Sequence, residues 1–176
     1  MITLHTPITK LRPFKESDIN DLNEYCMQDG VGEMAGWRHH NSLNESIKTL
    51  KSNISNPNIF AIEYTRESKV IGYITVNNDS ENNRNDTKEL SFALNRNYQN
   101  QGIMREVIFV VLEYLFSSDI EYIYACCFQE NLQSKSLIEK CGFEFEKQGS
   151  YYSNSLDKTF TTFEYIYTKH AWDKKR

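Results

Sequence analysis

A helix that is apolar nearly all the way round, held between two strand-like segments, limits this chain more than any other feature. From Gly102 to Phe116 the apolar residues cover most of a helical circumference, the pattern of a buried helix. Its most apolar part, Val107 to Phe116, has ten residues and contains Glu113, against about 20 for a membrane span. Such a helix has to be covered by a sheet. Glu89 to Leu94 on one side and Glu121 to Phe128 on the other read as strands, so the three segments form a βαβ unit with a right-handed crossover.

The rest of the chain can be placed around that unit. Ile8 to Phe14 alternates as an edge strand ending near Pro13, and Ser17 caps a helix striped by Ile19, Leu22 and Cys26. Ser42-Leu43-Asn44-Glu45 fits a capping box, opening a second helix with Ile47, Leu50 and Ile54 inward. Ile59 to Tyr64 and Val70 to Val76 form a hairpin across the polar turn 65–69. Residues 77–87 carry no apolar side chain and predict a mobile, solvated loop. After the βαβ unit, Asn131 opens a helix that stops at Cys141-Gly142, and strands follow at about Phe143 to Tyr152 and Phe160 to Thr168. The order βααβββαβαββ predicts one α/β (α+β) domain over 1–176, a mixed and mostly antiparallel sheet of about seven strands with about four helices.

Composition excludes several functions. A net charge of −4 argues against a nucleic-acid partner, which needs a basic footprint. Neither a membrane anchor nor a signal peptide is legible, so the expected location is cytoplasmic. Cys26, Cys126, Cys127 and Cys141 have no CxxC spacing and read as free thiols. The four histidines assemble no ligand cluster, so no metal is expected.

The chemistry concentrates where the first strand of the βαβ unit meets its helix, at Gln99-Asn100-Gln101-Gly102-Ile103-Met104-Arg105. A helix start leaves about four N–H groups unpaired and attracts an anion. Gly102 lets backbone approach a phosphate closely, and Arg105 adds charge. Neither GKS/GKT nor GxGxxG is present, so this is no nucleotide P-loop.

Gln99 and Gly102 match the first and fourth positions of the Q/R-x-x-G-x-G/A loop of GNAT acyltransferases, with Met104 in place of the final small residue. Asn131, Ser134, Glu139, Lys140, Gly142 and Phe143 match the later N-x-x-S-x-x-x-x-E-K-x-G-F pattern of the branch containing ribosomal-protein N-terminal acetyltransferases. The opening Leu11-Arg12 with Asp18 matches that branch's L-R-x-x-x-x-x-D start. The chain thus resembles that branch over nearly its whole length.

The resemblance implies acetyl-CoA as cosubstrate. Its pantetheine arm would pair with main chain near Phe92, Ala93 and Leu94, where the fourth strand splays from the fifth. The amides of Gln99, Asn100, Gln101, Gly102, Ile103 and Met104 would hold the pyrophosphate. Asn131 and Ser134 would contact the cofactor, and Lys135 is a neighbour for a phosphate. The implied reaction is direct attack of a primary amine, on a protein N-terminus or a small molecule, upon the thioester. Glu89 is the general base, and a strand N–H polarises the carbonyl. The family's usual tyrosine acid falls at Ile138 here, leaving Ser134 as the proton donor that the branch suggests.

The acceptor is expected between the first two helices and the last hairpin, near Glu33, Trp37, Arg38, His39 and His40, with Tyr151 and Tyr152 across from them. Met104 and Ile138 also support an alternative, a catalytically inactive CoA-binding sensor or interaction protein. The aromatic last strand is compatible with a homodimer, which the resemblance favours, or with packing inside.

Overall fold

The computed structural model describes residues 2–79, 81 and 84–175. Its strands are β1 (Leu4–His5), β2 (Thr9–Arg12), β3 (Ile59–Tyr64), β4 (Lys69–Asn78), β5 (Thr87–Leu94), β6 (Tyr122–Phe128), β7 (Glu144–Ser153) and β8 (Lys158–Thr168). They form one sheet in the order β1-β2-β3-β4-β5-β6-β8-β7. Every neighbouring pair is antiparallel except β5 and β6. The helices are α1 (Ile19–Cys26), α2 (Leu43–Ser55), α3 (Ile103–Phe116), α4 (Leu132–Lys140) and α5 (Lys169–Lys174). Among the described residues, no helix is long and apolar enough to cross a membrane.

Helices cover both faces. Val107, Ile108, Val111 and Leu112 of α3, Ile138 of α4 and Trp172 of α5 pack on Leu90, Leu94, Ile123, Ala125 and Tyr165. On the opposite face Leu22, Tyr25 and Cys26 of α1 and Leu50 of α2 pack with Ile59, Ala61 and Val70. The helix is less enclosed than its apolarity predicts: eight residues on one broad face are buried, whereas Arg105, Glu106, Glu113 and Tyr114 on the other side are exposed, because the sheet covers α3 from one side only.

The α/β class and the order of the major elements match the sequence expectation, with two short elements added. β1 pairs outside β2, so the strand expected at the edge is not the edge. α5 follows β8 directly. Ser17 lies within a single 3-10 turn, Glu16–Asp18, which leads into α1. Ser42 caps α2 as expected, its Oγ accepting from the Glu45 N–H, but the Glu45 carboxylate accepts from the Asn41 N–H and the Ser42 hydroxyl rather than from the Ser42 N–H, so the capping box forms only in part. Leu50 is buried and Ile47 half-buried, but Ile54, in the last turn of α2, is exposed. The polar stretch 77–87 is shorter as a loop than expected, since β4 runs to Asn78 and β5 starts at Thr87. Within it Asp79 is buried, while Ser80, Asn82 and Asn83 lie outside the described residues. The aromatic β8 has β6 on one side and β7 on the other, so both of its edges are taken. The sheet's outer edge at this end is β7.

The L-R-x-x-x-x-x-D start has a structural cause. Arg12 is buried and donates through both terminal nitrogens to the two Asp18 oxygens, at 2.8 and 2.9 Å, and through Nε to Glu63 at 2.5 Å. Asp18 also accepts from the Lys15 N–H at 2.8 Å. The network ties β2 and β3 to the start of α1. Burial disfavours the charged guanidinium, but the Asp18 and Glu63 carboxylates outweigh it and raise the Arg12 pKa. Removing one partner of a buried pair leaves an uncompensated charge. Asp18→Asn should therefore lower unfolding stability by about 3 kcal/mol in urea titrations, whereas Glu16→Gln, on the exposed side of the same turn, should leave it unchanged.

Candidate active site

The only parallel pair in the sheet parts after four residues. β5 and β6 are in register from Thr87–Tyr122 to Leu90–Ala125, and the ladder ends there. β5 continues to Leu94 on β4, and β6 continues to Phe128 on β8. The two limbs enclose a fork. β4 supplies a reason for it. Ile71 is an extra residue opposite the Ile62–Glu63 step of β3, a bulge that bends and twists the strand. Next to it, a Cβ at Gly72 would lie 2.2 Å from the carbonyl oxygen of Ala93. Glycine there lets β5 lean onto β4 and away from β6.

The backbone of β5 alternates between its neighbours. Ser91 and Asn95 direct their N–H groups to β4, at Thr75 Oγ1 (3.3 Å) and the Ile71 carbonyl (2.7 Å). The polar groups of Phe92 and Leu94 therefore point across the gap, and that of Ala93 points to β4. The Leu94 carbonyl accepts from Gln99 Nε2 at 2.9 Å.

Beyond β5 the chain enters the loop singled out by sequence. Asn100 and Gly102 both have positive φ, at 60° and 78°. Among the described residues no acceptor meets the backbone N–H groups from Asn100 to Arg105. Several N–H groups facing one point at a helix start make an anion cradle. Gln101 contributes backbone only: its side chain donates to the Asn97 carbonyl (2.9 Å) and stays off the groove wall. Arg105 and Lys140 border the cradle.

The fork and the cradle open into one groove of about 980 Å³ that passes through the sheet. On the α3/α4 side Phe92, Leu94, Ile103, Met104, Asn131, Ser134 and Leu137 line it. On the other side its wall holds Tyr73, Asn77, Glu89, Ser91, Cys126, Tyr151 and Thr162. Cross-strand pairing puts Asn77, Glu89 and Tyr124 in one row, and Thr75 and Ser91 in the next, all on the face away from α3. Glu89 is half-buried at the base of the fork. Burial pushes the Cys126 thiol up to about 12, so it is not a thiolate at neutral pH.

Asn131 caps α4 as expected, accepting from the Ser134 N–H at 3.0 Å. Its amide nitrogen donates to the Met34 carbonyl at 3.2 Å, a partner the sequence did not suggest. Ile138 is fully buried in the core, so position 138 offers the groove no polar group. Lys135 lies over the Phe163 ring, 5.3 Å from its centroid, rather than in the groove.

The segment after α1 crosses the open end of the fork. Asn95, completely buried, accepts from Gln28 Nε2 and donates to Glu24, both at 2.9 Å. The Gln28 side-chain oxygen Oε1 accepts from the Arg96 N–H at 2.8 Å, and the Arg96 guanidinium donates to the Asp29 backbone carbonyl. Met34 is fastened to Asn131 at the other limb. Gly30, Val31, Met34 and Ala35 thus bridge β5 to β6 and line the groove. No local sequence pattern marks this bridge, because the bonds that hold it, Gln28 to Asn95 and Met34 to Asn131, join residues remote in the chain.

Of the acceptor residues expected from sequence, the structure brings Tyr151 to the groove, stacked on Phe128 at 6.0 Å. Tyr152 is exposed and bonds Asp157. Glu33, Trp37 and His39 build the loop instead of lining the groove. Glu33 accepts from the Gly30 N–H (2.7 Å), the His39 N–H (2.9 Å) and His39 Nδ1 (2.8 Å). Trp37 covers Gly32 and donates to Tyr73 OH at 3.1 Å. Asp29, Glu33 and His39 each offer one atom within 4.8 Å of the others, a spacing compatible with an ion. The Glu33 oxygens are already engaged by those three donors.

A domain model of GNAT acetyltransferases matches residues 9–144. The chain is an acyltransferase, and it belongs to the GNAT family. A GNAT acetyltransferase of Bacillus anthracis superposes with a TM-score of 0.84 at 19% identity, over 96% of this chain and 99% of that one. The microcin C7 self-immunity acetyltransferase MccE, solved with acetyl-CoA and AMP, gives 0.78 at 20% identity over 93% of each chain. RimL, a ribosomal alpha-N-protein acetyltransferase solved with coenzyme A, gives 0.78 at 18% identity over 97% of this chain and 99% of its own. No curated protein sequence matches the chain significantly.

Two measurements test this geometry. Burial alone would raise the Glu33 carboxyl, but N–H groups of His39 and Gly30 and the His39 ring hold it down, from 4.5 to about 2. Its stabilisation is complete above 4.5 and is lost as pH falls through about 2. Urea titrations at pH 6 and pH 3 should show wild type losing about 1–2 kcal/mol more than Glu33→Gln. At Gly102 a Cβ meets nothing within 4 Å, so Gly102→Ala carries only the left-handed backbone cost, about 1–2 kcal/mol by thermal unfolding. Relaxation of that φ should also weaken anion binding at the cradle.

Proposed function

We propose that this protein is an acetyl-CoA-dependent N-acetyltransferase that transfers the acetyl group directly to a primary amine. One observation carries the reading: the β5–β6 fork, the N–H cradle and a carboxylate open into a single groove that runs through the sheet. The cradle from Asn100 to Met104, with Arg105 and Lys140, suits a pyrophosphate. The fork suits an extended arm carrying amides, which would add to β5 as a strand through Phe92 and Leu94. MccE and RimL were solved with acetyl-CoA and coenzyme A, respectively, and share this fold.

In this reading the arm enters from the α3/α4 side and presents its thioester at the fork, where Glu89 stands on the opposite face. Glu89 removes a proton from the acceptor ammonium. The free amine then forms the C–N bond, the C–S bond breaks, the nitrogen sheds its remaining extra proton to solvent, and the sulfur takes a proton, which solvent returns to the donor. Ser134, on the side where the arm enters, is the proposed donor to sulfur, and Asn131 shapes the wall beside it. The acceptor is a protein N-terminus or a small-molecule amine. It approaches beneath the Met34 bridge and Tyr151, with Glu33, Trp37 and His39 setting the shape of the loop above. A reading as a binding protein without catalysis makes the opposite prediction for turnover.

Calorimetry should give micromolar binding of acetyl-CoA and CoA, and none of ATP. Release of free thiol should then be followed with spermidine, an amino sugar and a short peptide with a free α-amine. Glu89→Gln should reduce turnover on the order of 10²-fold with acetyl-CoA affinity intact. Acetyl-CoA binding without transfer to any of these amines would favour the binding-protein reading.

A further inference from the structure

The acceptor side of the fork contains a hydroxyl whose orientation can be deduced by counting bonds. Ser91 is the first β5 residue beyond the last pair of the β5–β6 ladder, and it is exposed in the groove on the same face as Glu89. Opposite it stands Thr75, almost wholly buried. Thr75 Oγ1 receives the side-chain N–H of Asn77 at 3.2 Å and the backbone N–H of Ser91 at 3.3 Å. A hydroxyl has one proton and two lone pairs, so both acceptor sites of Thr75 are filled. With these two donors on Oγ1, we assign its proton to Ser91 Oγ at 2.5 Å in preference to the Ser91 carbonyl oxygen at 3.3 Å. Ser91 Oγ is then the acceptor in that bond, and its own proton points away from Thr75. Among the described residues, no acceptor receives it. Accepting a bond also polarises a hydroxyl toward donating.

We infer that Ser91 is a catalytic residue whose hydroxyl donates to the thioester carbonyl oxygen and holds the negative charge that develops there during transfer. The inference rests on the transferase reading. The acetyl group is the tip of the arm and emerges first on the Glu89 side, while the sulfur stays behind it in the fork. When the amine nitrogen bonds to carbon, the carbonyl π pair moves onto oxygen, against the Ser91 O–H. When that pair returns, the C–S bond breaks and Ser91 keeps its proton. Thr75 is a positioning residue that aims the hydroxyl through Asn77 and the Ser91 N–H. A pre-aimed donor of this kind typically contributes 10²–10³-fold in kcat.

The test measures thiol release with acetyl-CoA and whichever of spermidine, the amino sugar and the peptide the wild type acetylates, together with acetyl-CoA calorimetry and thermal unfolding. Ser91→Ala should lower kcat about 10²-fold, with the acetyl-CoA Kd and Tm within error of wild type. Ser91→Thr keeps a hydroxyl and should recover kcat to within about tenfold of wild type. Thr75→Val removes the aiming bond and should lower kcat about tenfold with the Kd unchanged. A merely structural Ser91 would move Kd or Tm and would not distinguish alanine from threonine in kcat. A kcat for Ser91→Ala within threefold of wild type overturns the role of Ser91 and leaves the transferase reading standing. Failure of the wild type to acetylate any of the three amines overturns the transferase reading, and the role of Ser91 with it.

Discussion

The site depends on one departure from regular pairing: β5 and β6 stop bonding to each other after Leu90 and Ala125, yet neither strand ends there. A sheet that stayed zipped would have no opening and no polar backbone facing a ligand. The strands can part because each has a stronger attachment elsewhere. β5 follows β4, where the Ile71 bulge supplies curvature and Gly72 allows contact with the Ala93 carbonyl. β6 stays with β8 out to Phe128. α3 closes the other side, its apolar residues packed across both limbs and its first turn left open to solvent at Gly102. The helix that fills the core thus also presents the cradle at its start.

The buried face and the polar site need different kinds of residue, and the sequence keeps them apart by strand alternation. On β5, Leu90 and Leu94 face the large core, while Glu89, Ser91 and Ala93 face the acceptor side. On β6, Ala125 and Cys127 are buried in the core, and Cys126 between them faces the groove. A one-residue slip of either strand would put a carboxylate into the core and leucines into the groove, so the chemistry of the site also fixes the register.

The features readable from sequence are those that short-range rules govern. The apolar helix α3, the serine cap at 42, the glycine at 102 and the asparagine cap at 131 each announce themselves within a few residues, and each is present. What escaped detection is long-range. The bridge over the fork depends on Gln28 meeting Asn95 and on Asn131 meeting Met34, contacts between residues 67 and 97 positions apart. Glu33, Trp37 and His39 were singled out because charged and aromatic residues in a loop suggest recognition, but their hydrogen-bonding capacity is largely used to fold that loop. A serine on a strand has no sequence pattern, and Ser91 is distinguished only by the bonds around Thr75. The two-residue β1 and the terminal α5 fall below the length at which periodicity can be read.

The bridge changes the connectivity of the opening. With Gln28 and Asp29 fastened to one limb and Met34 to the other, the fork is closed into an eyelet, bounded by the strands, their last shared pair and the loop. A slender chain with a bulky head can pass such an eyelet only tip first, and it has to withdraw by the way it came. For a cosubstrate of the proposed kind, head and tip would stay on opposite faces of the sheet throughout. Traffic of the second substrate would then never cross the path of the first. Each could arrive while the other is bound, and neither spent product would block the departure of its counterpart.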